Sequence, residues 1–124
     1  MTEYTYVEGY RYSIDKTNEE YSLELRTTAL RCHKLEGSDW SRWEESCGEN
    51  IWGPVAIADT PESTERGLSD AGIYLSRQKA KESASYRLQR DRINCIDRVT
   101  TLNKKIASIQ KLLDAQINQH TFTG

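Results

Sequence analysis

Arg87, Arg90, Asn94 and Arg98 stand three or four residues apart, the spacing that puts side chains on one face of a helix. Guanidinium groups offer planar forks of N–H donors that match phosphate and carboxylate geometry, and they stay charged at any cellular pH. Such a face suits a small anionic ligand or an acidic protein surface. A plainer reading stands beside it: Asp91 follows Arg87 by four residues, an ordinary helical ion-pair spacing, and the other arginines are then simply solvated. Trp40, Trp43 and Trp52 form the second candidate group, because Trp and Arg are the residue types that dominate interface energetics. Of the 7 tyrosines, Tyr4, Tyr6, Tyr10, Tyr12 and Tyr21 crowd the start of the chain. They serve either as the core of a sheet covered by a helix or as an aromatic platform for a ligand base or partner protein.

Catalytic constellations are poorly represented. A Cys–His nucleophile would draw on 3 cysteines and 2 histidines. Cys32 and His33 are neighbours on an expected strand and so point to opposite faces, while His120 lies near the end of the chain. Paired ligands at zinc-site spacing are missing, as are a Gly-rich phosphate loop, a GxSxG elbow and a HExxH helix. The acidic pairs Glu19-Glu20 and Glu44-Glu45 read as solvated surface. These patterns lead to the expectation of a non-enzymatic protein with no cofactor and no metal.

The element that must carry the arginines is a helix. Residues 73–117 contain neither Gly nor Pro. Within them Leu88, Cys95, Leu102 and Ile109 recur every seven residues, and Val99, Ile106 and Leu113 form the interleaved row of a coiled-coil seam. At 1.5 Å per residue such a helix is about 65 Å long, against the ~14 Å radius of gyration of a compact chain this size. It needs a partner, either a helix earlier in the chain or the same helix of a second molecule. Arg92 sits on the seam between Leu88 and Cys95, where a polar residue fixes register or partner number, or where symmetry-related arginines together hold an anion.

Ahead of the helix, Tyr4 to Asp15 alternates as a strand with one aromatic face, and Glu8-Gly9 marks a bulge or a close backbone approach. Residues 16–20 make a hairpin loop. Residues 21–35 resume the alternation, with a shift of apolar phase at 28–30 that predicts a bulge or break. Gly37-Ser38-Asp39 and Gly48 bracket an expected short helical turn over 38–47, with Trp40 and Trp43 on one side. IWGPVAIA, 51–58, reads as a third strand with Pro54 at an edge. Thr60, Pro61 and Glu62 supply a cap, a first-turn proline and a dipole-matched acid, so a helix starts there. Gly67 and Gly72 weaken it, and Ser69-Asp70 offer a fresh start. Residues 118–124 are expected to fray.

With 124 residues the chain is sized for one domain, 1–124, with a sheet over 4–58 and a helical region over 60–118. The net charge of −2 conceals an asymmetry. Residues 1–64 hold 13 acidic against 6 basic side chains, and 65–124 hold 6 against 11. That separation serves attraction between halves or subunits, or a basic binding face. An acidic chain with one basic helix face is not expected to bind duplex DNA tightly. No run approaches the ~18 apolar residues of a membrane span, the start of the chain lacks a signal-peptide pattern, and an odd number of cysteines without CxxC spacing reads as reduced thiols. A cytoplasmic location follows as an expectation.

The expected fold is α+β: a small N-terminal antiparallel sheet, a short capped helix and a long coiled-coil-like C-terminal helix that makes the chain a homodimer or higher oligomer. The expected function is that of a small binding or inhibitor protein acting as an oligomer on another macromolecule, a type that extends to phage accessory and anti-host proteins. Two alternatives remain open: sequestration of a nucleotide-like ligand at an Arg/aromatic pocket near the oligomer interface, and nucleic-acid binding.

Overall fold

Tyrosines alternating with small and polar residues favour extended backbone, and the chain uses them to build the first hairpin of a four-stranded meander. In the computed structural model, which describes residues 2–123 and the side chains of 2–117, β1 (Thr5–Asp15), β2 (Ser22–Lys34), β3 (Ser41–Gly48) and β4 (Ile51–Ala58) pair in sequence order, all antiparallel. Helix α1 (Pro61–Asp70) packs on β4, and α2 runs Arg77–Thr123. The α+β architecture is therefore as the sequence predicts. Against the expected fraying of 118–124, the backbone continues helical through 118–123, and residue 124 lies outside the described residues. Contacts divide the chain into two units, Met1–Ser85 and Tyr86–Gly124.

In the first unit the core lies on one face of the sheet. Leu30, Leu68 and Ile73 are fully buried, with Val7, Trp43, Val55, Ala71 and Leu75 packed around them. Gly9 is where β1 meets this core. A Cβ there would stand 2.8 Å from Leu30 Cδ1 and 3.0 Å from Ile73 Cγ2, so the glycine marks a close approach, and β1 carries no bulge.

Three expectations are corrected. The helical turn over 38–47 is instead the β2–β3 turn followed by β3: the Leu35 N–H donates to the Trp40 carbonyl, and the Ser38 hydroxyl accepts from the Trp40 N–H. The bulge expected at 28–30 is not there, since β2 pairs with β1 without a shift from Ser22 to Cys32. Register shifts fall between β3 and β4, at Trp43/Glu44 and Ser46/Gly48. Finally, the long helix begins at Arg77 rather than at residue 73, because 71–76 leave helical geometry to pair with the sheet.

That connection ties the elements together. Tyr10 and Tyr74 exchange backbone hydrogen bonds of 2.7 and 2.9 Å along the outer edge of β1, which delivers Ile73 to the core. The Tyr12 and Tyr74 rings stack at 5.9 Å, and both hydroxyls lie within hydrogen-bonding distance of Ser83 Oγ on α2. The Ser76 hydroxyl accepts from the Lys79 N–H and so caps α2.

α1 starts as its sequence signals. The Thr60 hydroxyl accepts from the Ser63 N–H and the Ser63 hydroxyl accepts from the Thr60 N–H, a reciprocal capping box with Pro61 in the first turn. Thr60→Ala is expected to lower unfolding free energy by about 1 kcal/mol in urea titration, with an unchanged denaturant slope. α1 runs through Gly67 and ends at Asp70, and a side chain at 67 would meet Ala56 Cβ at 2.9 Å and hold the helix off β4.

Candidate functional site

The register that puts Val7, Gly9 and Leu30 against the core turns Tyr4, Tyr6, Arg31, His33, Arg42, Glu44, Trp52 and Ile57 to the other face of the sheet. These side chains form one cluster. The Arg31 guanidinium lies over the Tyr4 ring at 4.0 Å and the Trp52 ring at 4.5 Å, and its Nε donates to Glu44 Oε1 at 2.9 Å. Tyr6 meets Trp52 edge-on at 6.0 Å, and Tyr4 meets His33 edge-on at 5.1 Å. A cation between two rings gains about 0.5–2 kcal/mol per contact, depending on desolvation.

Glu44 is 7% exposed and gathers two arginines, with Arg42 Nε 3.7 Å from its second oxygen. Among the described residues Arg42 Nε and His33 Nδ1 are buried without a hydrogen-bond partner. Around this polar centre the surface is open and apolar, with Tyr6 66% and Ile57 58% exposed. The cluster spans β1 to β4 and joins the residue types that anchor protein interfaces. The tyrosines of β1 therefore face away from the Leu30 core rather than forming it.

The core side carries its own charged pair. The Arg11 guanidinium grips Glu45 with two hydrogen bonds of 2.7 and 2.6 Å and gives a third, of 2.7 Å, to the Ala71 carbonyl, while the Thr28 hydroxyl also donates to Glu45. The Arg11 hydrogen bonds hold the Glu45 carboxyl below the usual carboxylate range, against a smaller opposing effect of burial. Because the folded state depresses this pKa, the stabilisation is present above the unfolded value of about 4.3 and is lost as pH falls through the folded value. Stability measured down through the acid range is expected to drop more steeply in the native sequence than in Glu45→Gln, which lacks the titrating group.

The three tryptophans do not share one site. Trp43 packs on the core, Trp52 belongs to the opposite face, and Trp40 is 45% exposed in the β2–β3 turn. Cys32 lies on the core-side row and its thiol is pushed up by burial, away from the thiolate a nucleophile needs. Among the described residues no group of three His, Cys, Asp or Glu is placed to hold a metal ion. Between α1 and the first turns of α2 lies a cleft of about 560 Å³, floored by Leu68, Ile73 and Leu75 and bordered by the Lys79–Glu65 ion pair.

In the second unit the helical residues Arg87, Arg90, Arg92, Asn94 and Arg98 are all exposed. So is the seam beyond Leu88, which is only part-exposed, with Val99 56%, Leu102 55%, Ile106 61%, Ile109 57% and Leu113 47% accessible. Ile96, Leu112 and Ile117 widen it, at 56%, 68% and 61%. Among the described residues no helix is long and apolar enough to cross a membrane.

Sequence reasoning did not single out the Arg31 cluster. Its signal was present in the β1–β2 hairpin: pairing Asp15 with Ser22 and counting outward sets Tyr6 opposite Arg31. The chain matches no protein-family model, no curated protein and no solved structure.

Proposed function

We propose that this chain is a non-enzymatic binding protein that works as an oligomer, its α2 helices packed on one another and its remaining surface occupying another macromolecule. The observation that carries this reading is the exposed apolar seam of α2, in which Val99, Leu102, Ile106, Ile109 and Leu113 are each about half accessible in the single chain. Contiguous apolar surface of this kind marks an interaction site, and heptad spacing makes it self-complementary. Light scattering at micromolar concentration tests the assembly.

Two surfaces are suited to a partner. The outer sheet face offers Tyr6 and Trp52 around the Arg31–Glu44 pair, and the helix offers Arg87, Arg90 and Arg98 to acidic groups. Arg90→Ala and Arg98→Ala are expected to stay within about 0.5 kcal/mol of the native stability, because exposed side chains contribute little to folding. The same changes should weaken retention of an acidic partner.

A second reading, sequestration of a phosphate-bearing ligand, is favoured by the exposure of Arg87, Arg90, Asn94 and Arg98 together on one helix. A native mass spectrum of protein purified from cells separates the two, since it reports subunit number and retained small molecules together. Three free thiols support a reducing, cytoplasmic setting, and an accessory or inhibitory role of the phage type fits a small chain whose sequence carries none of the common catalytic motifs.

A further inference from the structure

The charges flanking the seam carry more than the fact of assembly, and we infer that copies of this chain pack α2 against α2 in parallel and in register, with Arg92 of each copy paired to Asp91 of the next. This inference rests on the proposed assembly and adds its orientation. On the heptad that places Val99, Ile106 and Leu113 in one row, Arg92 is the next member of the same row, one heptad earlier, and it is exposed in the single chain. Brought to a helix interface without a partner, its charge would be strongly destabilising.

In a parallel, in-register pair each residue of this row lies beside the residue that precedes the same layer on the neighbour. For Arg92 that neighbour is Asp91, a carboxylate. Asp91 is already engaged within its own chain, and its two oxygens accept more than one donor. The flanks agree with the layer. Parallel packing sets Leu112 against Ile117 of the neighbour, apolar on apolar, and although it puts the two Arg92 side chains in one layer, that layer also holds the two Asp91 carboxylates, one for each guanidinium.

Other arrangements lose these pairings. A slip of one heptad moves Arg92 of one copy beside Arg98 of the other, a like-charge contact. Antiparallel packing keeps apolar layers in two registers: one faces Cys95 with Leu113, opposes Lys105 to Lys105 and puts Leu112 beside Arg98, and the other faces Cys95 with Ile106 and puts Arg98 beside Lys105. Parallel in-register packing alone gives Arg92 a carboxylate.

Cys95 lies on the second row of the seam and is exposed in the single chain, so it reports orientation directly. A Cys32→Ser/Cys47→Ser protein keeps only this thiol. A second protein carries Cys32→Ser, Cys47→Ser, Cys95→Ser and Leu113→Cys. Each is treated with diamide, which accepts the two hydrogens released as two thiols form one disulfide, and is then run on a non-reducing gel. A differently tagged mixture of the two is treated in parallel, and each sample is first sized by light scattering and checked for folding by circular dichroism. The expected result is assembled protein in which each single-thiol form links to itself and the mixed 95-to-113 product is minor. Assembled protein that links 95 to 113 is antiparallel, and assembled protein that links at neither position is either out of register or antiparallel in the Cys95–Ile106 register. Either result overturns the inference while leaving the assembly itself intact. Monomeric protein overturns the assembly, and the inference with it.

Discussion

Val99→Asp combined with Ile106→Asp should convert the protein to a monomer in light scattering while leaving the sheet folded. Both side chains sit in the middle of the seam, at 56% and 61% exposure in the single chain, and neither belongs to the core of Leu30, Leu68 and Ile73. Burying a carboxylate against another copy of itself combines desolvation with like-charge repulsion, each costing several kcal/mol at one interface. The double change therefore exceeds what a helix-to-helix contact of this length can offset. Isolated helices depend on packing for most of their stability, so loss of assembly should appear as reduced helical circular dichroism as well. Near-ultraviolet signals from Trp43 and Trp52 report on the sheet and should persist.

Leu30→Ala is expected to be the most damaging single change in the first unit, by about 2–5 kcal/mol, the range found when a large buried aliphatic side chain is truncated. That is a large fraction of the roughly 5–15 kcal/mol that separates folded from unfolded domains. Leu30 is fully buried and touches the three places where the fold converges: Gly9 of β1, Leu68 of α1 and Ile73 of the connection. Leu23→Ala serves as the comparison, because Leu23 lies on the same strand, is 48% exposed and should change stability far less. Urea unfolding followed by tryptophan fluorescence measures both.

Where sequence pattern and structure agree, the signal is local. The cap at Thr60 to Ser63 is complete within four residues, and the alternation of Tyr4 to Ile14 needs only its own strand. The long helix is legible from its unbroken heptads.

Where they part, the cause is long-range. β3 was obscured because its charges lie on both faces of the sheet: Glu45 is held by Arg11, 34 residues away, and Glu44 by Arg31, 13 residues away. Without those partners Ser41–Gly48 shows no alternation, and the Gly37-Ser38-Asp39 run resembles a helix start. The phase shift in β2 is real in the side chains but absent from the backbone, because Leu23 and Leu25 belong to the outer face and Leu30 to the core. Ile73 looks like the start of the long helix, yet Gly72 at φ +77° turns the chain so that it joins the core instead.

The same reasoning explains the partial reading of the site. Helical spacing exposes the arginines of α2 at a glance, whereas the Arg31 cluster assembles from four strands and emerges only once register is known. Trp52 was legible as an interface residue and Tyr6 as either core or aromatic platform, but their neighbour Arg31 was not.

The most direct test of the central claim is multi-angle light scattering of the native chain at micromolar concentration and near-physiological salt. Assembly through α2 predicts a mass of two or more chains that falls to one chain in the Val99→Asp/Ile106→Asp variant. A monodisperse native monomer of 14.3 kDa would contradict it.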